Sequence, residues 1–187
     1  MRLFVAIPVE GEVAQVLGEL LDGWRREPWP VKWVRTEGLH LTLKFLGEVQ
    51  GERAGALTEA LGGAVEGTPA LPFSLADLGA FPPLPRARVL WAGLEADGAL
   101  ELLVHRIERT SESLGFPLEG QAYRPHVTLG RVREGARLPS AAIQGIEAVH
   151  LPRAGFLADR VVLYRSLTGA GGSRYEVETS FPLGVRS

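Results

Sequence analysis

Two tetrapeptides in this chain repeat one pattern: His40-Leu41-Thr42-Leu43 and His126-Val127-Thr128-Leu129. On an extended strand, alternate side chains face opposite sides, so His40 and Thr42 share a face while Leu41 and Leu43 share the other. The same holds for His126 and Thr128 against Val127 and Leu129. Each motif can root itself in a core through its aliphatic pair and present an imidazole beside a hydroxyl. Imidazole titrates near neutrality, so one neutral and one protonated ring can take a proton from water and give one to a departing oxygen. Threonine hydroxyls and nearby amides can hydrogen-bond phosphate oxygens as charge develops. That chemistry opens a strained cyclic phosphodiester, and it calls for no metal.

The chain has four histidines, and two of them carry a threonine two residues on. One such motif alone reads equally well as a strand histidine bonded to the backbone. The pair favours a shared site. His105, inside a helical stretch, and His150, before Leu151-Pro152, lack the threonine and read as surface or packing residues. Neither motif offers a second ligand at helical or turn spacing, so no metal is expected. The Gly169-Ala-Gly-Gly172 run lacks the Lys-Ser/Thr ending of a phosphate loop and reads as a turn. Trp33, Phe45, Phe81 and Tyr123 flank the motifs; they read first as core, with base stacking as the alternative.

The elements around the motifs follow from periodicity. Leu3 to Pro8 reads as a short buried strand. Val13, Val16, Leu17, Leu20, Leu21 and Trp24 recur at helical spacing, and Pro28 and Pro30 end that helix. Val31 to Arg35 and Leu39 to Leu46 read as strands joined by a turn at Glu37-Gly38. A helix is expected over 52–65, then strands Leu71 to Leu78 and Arg88 to Leu94 around a proline-rich loop, 81–85. A second strong helix covers 97–114, and Tyr123 to Val132 is again a strand. Arg160 to Leu167 and Ser173 to Phe181 read as a hairpin. Several strand pairs have connections too short for parallel crossovers, so the expected class is α+β with mixed or antiparallel sheets. Each half contains a helix followed by a strand carrying His-x-Thr-Leu. Two similar lobes facing each other would set those strands across a central cleft.

Composition bounds the function. The 187 residues contain no cysteine, which excludes thiolate nucleophiles, disulfides and cysteine-ligated metal, and fits a reducing, cytoplasmic setting. The opening apolar run is too short for a signal peptide, and no stretch approaches membrane-spanning length. The net charge of −2 argues against tracking along nucleic acid through its phosphates and favours a local pocket for one end.

The flanks carry a family resemblance. His40-Leu-Thr-Leu-Lys-Phe-Leu-Gly47 and Arg124-Pro-His-Val-Thr-Leu-Gly-Arg131 resemble the two signature segments of the 2H phosphoesterases, in the branch of bacterial and archaeal RNA 2′,3′-cyclic phosphodiesterases, historically 2′–5′ RNA ligases. The opening Arg2-Leu-Phe-Val-Ala-Ile and the motif separation extend the likeness over essentially the whole chain. It implies a single bilobal, pseudo-twofold α+β domain over 1–187, with two mostly antiparallel sheets flanked by helices around a central cleft. It implies hydrolysis of RNA 2′,3′-cyclic phosphate ends, tRNA-like fragments among them, to 2′-phosphates, and reversible ATP-independent 2′–5′ joining. It assigns His40 as proton donor to the leaving O3′ and His126 as the base, with Thr42, Thr128 and Arg131 on the phosphate. No cofactor is implied, no membrane, and a monomer is expected. Competing expectations are a cyclic phosphodiesterase for small nucleotides and a non-catalytic RNA-end binder.

Overall fold

The computed structural model describes residues 1–184. In chain order the elements are β1 (Arg2–Pro8), α1 (Gly11–Arg25), β2 (Val31–Trp33), a 3-10 turn (Thr36–Gly38), β3 (His40–Glu48), α2 (Gly51–Val65), β4 (Leu71–Phe81) and β5 (Val89–Ala96). Then come α3 (Gly98–Ser113), β6 (His126–Val132), α4 (Ser140–Glu147), β7 (Gly155–Ala158), β8 (Arg160–Gly169) and β9 (Gly172–Pro182).

All strand pairings are antiparallel, in the order β7-β4-β5-β6-β3-β1-β8-β9, with β2 also paired to β6. The sheet has two wings: β3-β1-β8-β9 and β6-β5-β4-β7. They meet at one residue pair, Leu41 opposite Val127. The two expected sheets are therefore the wings of a single curled one. The wings correspond in chain order, since α1 joins β1 to its neighbour β3 and α3 joins β5 to its neighbour β6.

Each connecting helix crosses to the opposite wing. α1 packs on β7, where the β-carbon of Phe156 lies beside Gly11, and α3 packs on β3 and α2. The helical stripes do this work: Val13, Leu17, Leu21 and Trp24 of α1 and Leu100, Leu103, Val104 and Ile107 of α3 are buried. Asp97 caps α3 by accepting the Ala99 N–H at 3.0 Å. Leu41 and Val127, at the join, are both fully buried. Truncating Leu41 to alanine would cost on the order of 2–5 kcal/mol.

Two expectations are corrected, and two elements are new. β2 stops at Trp33, because Thr36–Gly38 winds into a 3-10 turn. β6 starts at His126 rather than Tyr123, since Pro125 has no N–H to donate; its carbonyl still accepts from Leu94 N–H at 3.1 Å. The short α4 and β7 have no counterpart in the sequence reading. Gly130, inside β6, is demanded by packing: a β-carbon there would lie 2.6 Å from the Trp33 ring and 2.7 Å from Val31.

Candidate active site

The antiparallel join fixes how the two motifs meet. With Leu41 opposite Val127, one step of register in each direction sets His40 alongside Thr128 and Thr42 alongside His126. The two histidines are then diagonal cross-strand neighbours, a relationship that spaces residues about 7–8 Å apart. That gap suits one phosphate between two rings. His40, Thr42, His126, Thr128 and Arg131 all line a single open cleft of about 1010 Å³.

Both motif strands carry a bulge at the same place. Opposite β1, the register steps from Thr42 to Lys44 and skips Leu43; opposite β5, it steps from Thr128 to Gly130 and skips Leu129. An extra residue reverses the alternation beyond it. Arg131, an odd number of residues past His126, would otherwise face away from the cleft; the bulge returns it. Phe45 occupies the equivalent place after His40. Both are exposed, and both line the cleft.

Each imidazole is oriented by a carbonyl two residues upstream. His40 Nδ1 lies 2.7 Å from Gly38 O, and His126 Nδ1 lies 2.8 Å from Arg124 O. A carbonyl only accepts, so Nδ1 must carry the proton, which leaves both Nε2 atoms for reactants. Neither threonine hydroxyl is engaged by another protein group among the described residues, and no carboxylate is ion-paired with Arg131. These donors remain available to an anion.

The rings stand in different surroundings. His40 is framed by Phe4 at 5.0 Å, Tyr175 at 5.1 Å and Tyr164 at 6.2 Å between centroids. Burial there pushes the His40 pKa below its ordinary value, against a smaller opposing effect of the Gly38 carbonyl. His126 meets the edge of Phe81 at 5.3 Å and Trp91 at 6.0 Å.

The segment between α3 and β6 forms one side of the cleft and is tied down at several points. The Tyr123 hydroxyl donates to Thr42 O at 2.9 Å, and burial raises its pKa. The Lys44 ammonium, almost wholly buried, lies 3.0 Å from Glu108 Oε1 and donates to Pro117 O at 2.5 Å. Glu108 Oε2 accepts the Glu119 N–H at 3.1 Å.

All five nominated residues thus reach one cleft. Of the flanking aromatics, Phe45, Phe81 and Tyr123 line it, while Trp33 packs with Trp24 and Trp29. His105 is exposed on α3 and lines the cleft, and His150 is exposed outside it. Sequence reasoning missed Tyr164 and Tyr175, which lie over His40 from the β8–β9 hairpin. It also missed Lys44, whose only signal was being a lysine in an apolar strand. Among the described residues no cluster of three potential metal ligands occurs.

Two His-Thr strands set side by side over one cleft define a phosphoesterase of the two-histidine class. The chain belongs to the LigT-like phosphoesterases of the 2H superfamily, whose family model matches residues 7–91 and 94–175, one stretch in each half. It is 32% identical over 177 residues to an RNA 2′,3′-cyclic phosphodiesterase of Thermotoga maritima, covering 95% of this chain and 92% of that protein. A Methanocaldococcus jannaschii protein of the same name is 31% identical, covering 95% of this chain and 98% of its own. Escherichia coli LigT crystallised with 3′-AMP superposes with TM-score 0.74 at 28% identity, over 97% of each chain. A crystal structure from Thermus thermophilus reaches TM-score 0.80 at 27% identity, over 98% of each.

Proposed function

We propose that this phosphoesterase hydrolyses RNA 2′,3′-cyclic phosphate ends to 2′-phosphates, with His40 and His126 as its proton-transfer pair. The observation that carries the reading is the matched geometry of the two motifs: each Nδ1 spent on a carbonyl, each Nε2 free over the same cleft. His126 Nε2 takes a proton from the attacking water as oxygen bonds to phosphorus. His40, protonated once the anion is bound, delivers its Nε2 proton to O3′ as the P–O3′ bond breaks. Thr42, Thr128 and Arg131 hydrogen-bond the non-bridging oxygens, where negative charge builds. With a 5′-hydroxyl in place of water, the same transfers form a 2′–5′ link without ATP.

The names of the relatives and the 3′-AMP bound to the Escherichia coli protein support a nucleotide substrate. Both motifs come from one chain, so a monomer suffices. No helix is long and apolar enough to cross a membrane. The absence of cysteine accords with work in the cytoplasm, and the chemistry needs no cofactor.

The test is product analysis with an RNA ending in 2′,3′-cyclic phosphate, in the presence of EDTA. A 2′-phosphate end is expected. A 3′-phosphate product, or no turnover without added metal, would refute the mechanism.

A further inference from the structure

Charge is distributed unevenly around the cleft, whose α3 side carries Arg109, paired with Glu112 at 2.9 Å. Toward α3, the carboxylates of Glu108 and Glu119 gather around Lys44, at 3.0 and 4.0 Å. On the side of Arg131, two further cations, Lys32 and Arg35, lie beyond the cleft lining and next to the β8–β9 hairpin tip. Lys32 stands directly opposite Arg131 in the β2–β6 register, so their side chains leave the same face of the sheet. The hairpin tip runs beside Lys32 and Arg35. The Lys32 ammonium lies 3.0 Å from where a β-carbon on Gly172 would be, and Arg35 Nη2 lies 3.8 Å from the same position on Gly171. Gly172 has φ +100°, a conformation that favours glycine, and the bare tip leaves both cationic heads uncovered.

Lys32, Arg35 and Arg131 are all exposed, and no carboxylate ion-pairs with any of them among the described residues. The acidic residue next in sequence, Glu37, is exposed to solvent without joining them. In a chain with 22 acidic residues and net charge −2, three cations left together without a counter-ion form a local anion site. Tyr175 links the patch to the reaction centre: its ring meets His40 edge-on at 5.1 Å, and Arg131 lies near enough to act on its phenol.

We infer that Lys32 and Arg35 form a second phosphate subsite, which holds the internucleotide phosphate on the 5′ side of the terminal nucleotide. The RNA strand leaves the cleft over the glycine tip of the β8–β9 hairpin, away from the carboxylates at the α3 end. This rests on the proposed RNA-end activity and adds the path of the strand. Arg131 serves the reacting phosphate; Lys32 and Arg35 serve the next one.

The experiment compares three substrates: a mononucleotide 2′,3′-cyclic phosphate, which has no second phosphate, oligonucleotides ending in one, and a cyclic phosphate of ADP-ribose, which carries a pyrophosphate. Steady-state constants are measured for the wild type and for a Lys32→Ala/Arg35→Ala variant over a salt series. The variant should raise KM for the oligonucleotide about tenfold, leaving the mononucleotide unchanged, which also shows that the fold is intact. Each phosphate neutralised on a single strand contributes about 0.7 to the salt slope, so losing the one held by this subsite should flatten the oligonucleotide slope by about 0.7. Equal losses on mononucleotide and oligonucleotide, or no loss on either, would overturn the subsite. An effect confined to the ADP-ribose compound would reassign it to a pyrophosphate and overturn the RNA path. A wild type inactive on every substrate would instead defeat the function proposed above.

Discussion

Phe45 and Arg131 are counterparts across the pseudo-twofold relation of the two wings. Each follows its motif histidine by the same number of residues, lies beyond the same bulge, and turns into the same cleft. One half of the cleft thereby offers an aromatic face and the other a guanidinium. The asymmetry would suit the aromatic face to a base and the guanidinium to phosphate oxygens, which substitutions at the two positions test.

Arg131→Ala should therefore lower kcat/KM by about a hundredfold, the effect of losing one well-placed donor to a developing oxyanion. Arg131→Lys should recover part of this, because the charge returns without the fork. Initial-rate kinetics on one cyclic phosphate substrate decide it. A variant with unchanged kcat/KM would remove Arg131 from the reaction.

Phe45, 62% exposed, is an apolar ring that the fold has no use for burying. Phe45→Ala should raise KM for a nucleotide substrate about tenfold or more while sparing kcat, in line with about 1–3 kcal/mol per stacked base. A loss of kcat at constant KM would point to damage at the neighbouring motif strand instead.

The two histidines can be told apart chemically. His40→Ala and His126→Ala should each lower kcat by about 10²–10⁴-fold, with folding checked by circular dichroism. A substrate with sulfur in place of O3′ releases a thiolate, which leaves without a proton. If His40 is the donor, that substrate should restore much of the activity of His40→Ala and little of His126→Ala. The reverse pattern would exchange the two roles.

How much of this was legible in the sequence depended on how local the causes are. The histidine strands were, because alternation in four residues states both which face meets the core and which meets the cleft. Arg131 was not reachable by alternation, which sends it to the wrong face; only the family resemblance nominated it, and the bulge at Leu129 supplies the reason. Tyr164 and Tyr175 were invisible because they come from a hairpin remote in sequence, brought over His40 by the pairing of β1 with β8. The start of β6 was misread because a favourable strand composition at Tyr123 says nothing of the donor that Pro125 lacks. α4 and β7 escaped because eight and four residues carry too little periodicity to register.

The ring burial at His40 has a pH signature. Its free-enzyme pKa lies below 6.5, so above that pH the unliganded ring is neutral. An anion in the cleft favours the imidazolium and raises the pKa in the complex. With His40 as donor, the descending limb of kcat/KM should lie at lower pH than that of kcat, since the first reports free enzyme and the second the complex. The stability sign follows the same cause: a depressed histidine pKa stabilises the fold above the unfolded value and loses that contribution as pH falls from 6.5 toward the folded value. Coincident descending limbs would contradict the donor assignment.

Lys44 should act on the site at one remove. Its side chain is 1% exposed and that of Glu108 14%, so neither charge is well solvated. Their contact holds the segment after α3, which supplies the Tyr123 hydroxyl to Thr42 and the Arg124 carbonyl to His126. Lys44→Met removes the cation and strands both Glu108 and the Pro117 carbonyl, at a cost of about 3–5 kcal/mol to folding. Adding Glu108→Gln should return part of that stability, because no buried carboxylate is then left alone. It should not return the rate, because the Pro117 carbonyl still lacks its donor and the segment stays loose. Denaturant midpoints and kcat, measured well below the unfolding temperature of every variant, separate the two effects. If kcat in the single variant matches wild type once folded, Lys44 holds the fold together and has no part in aiming His126.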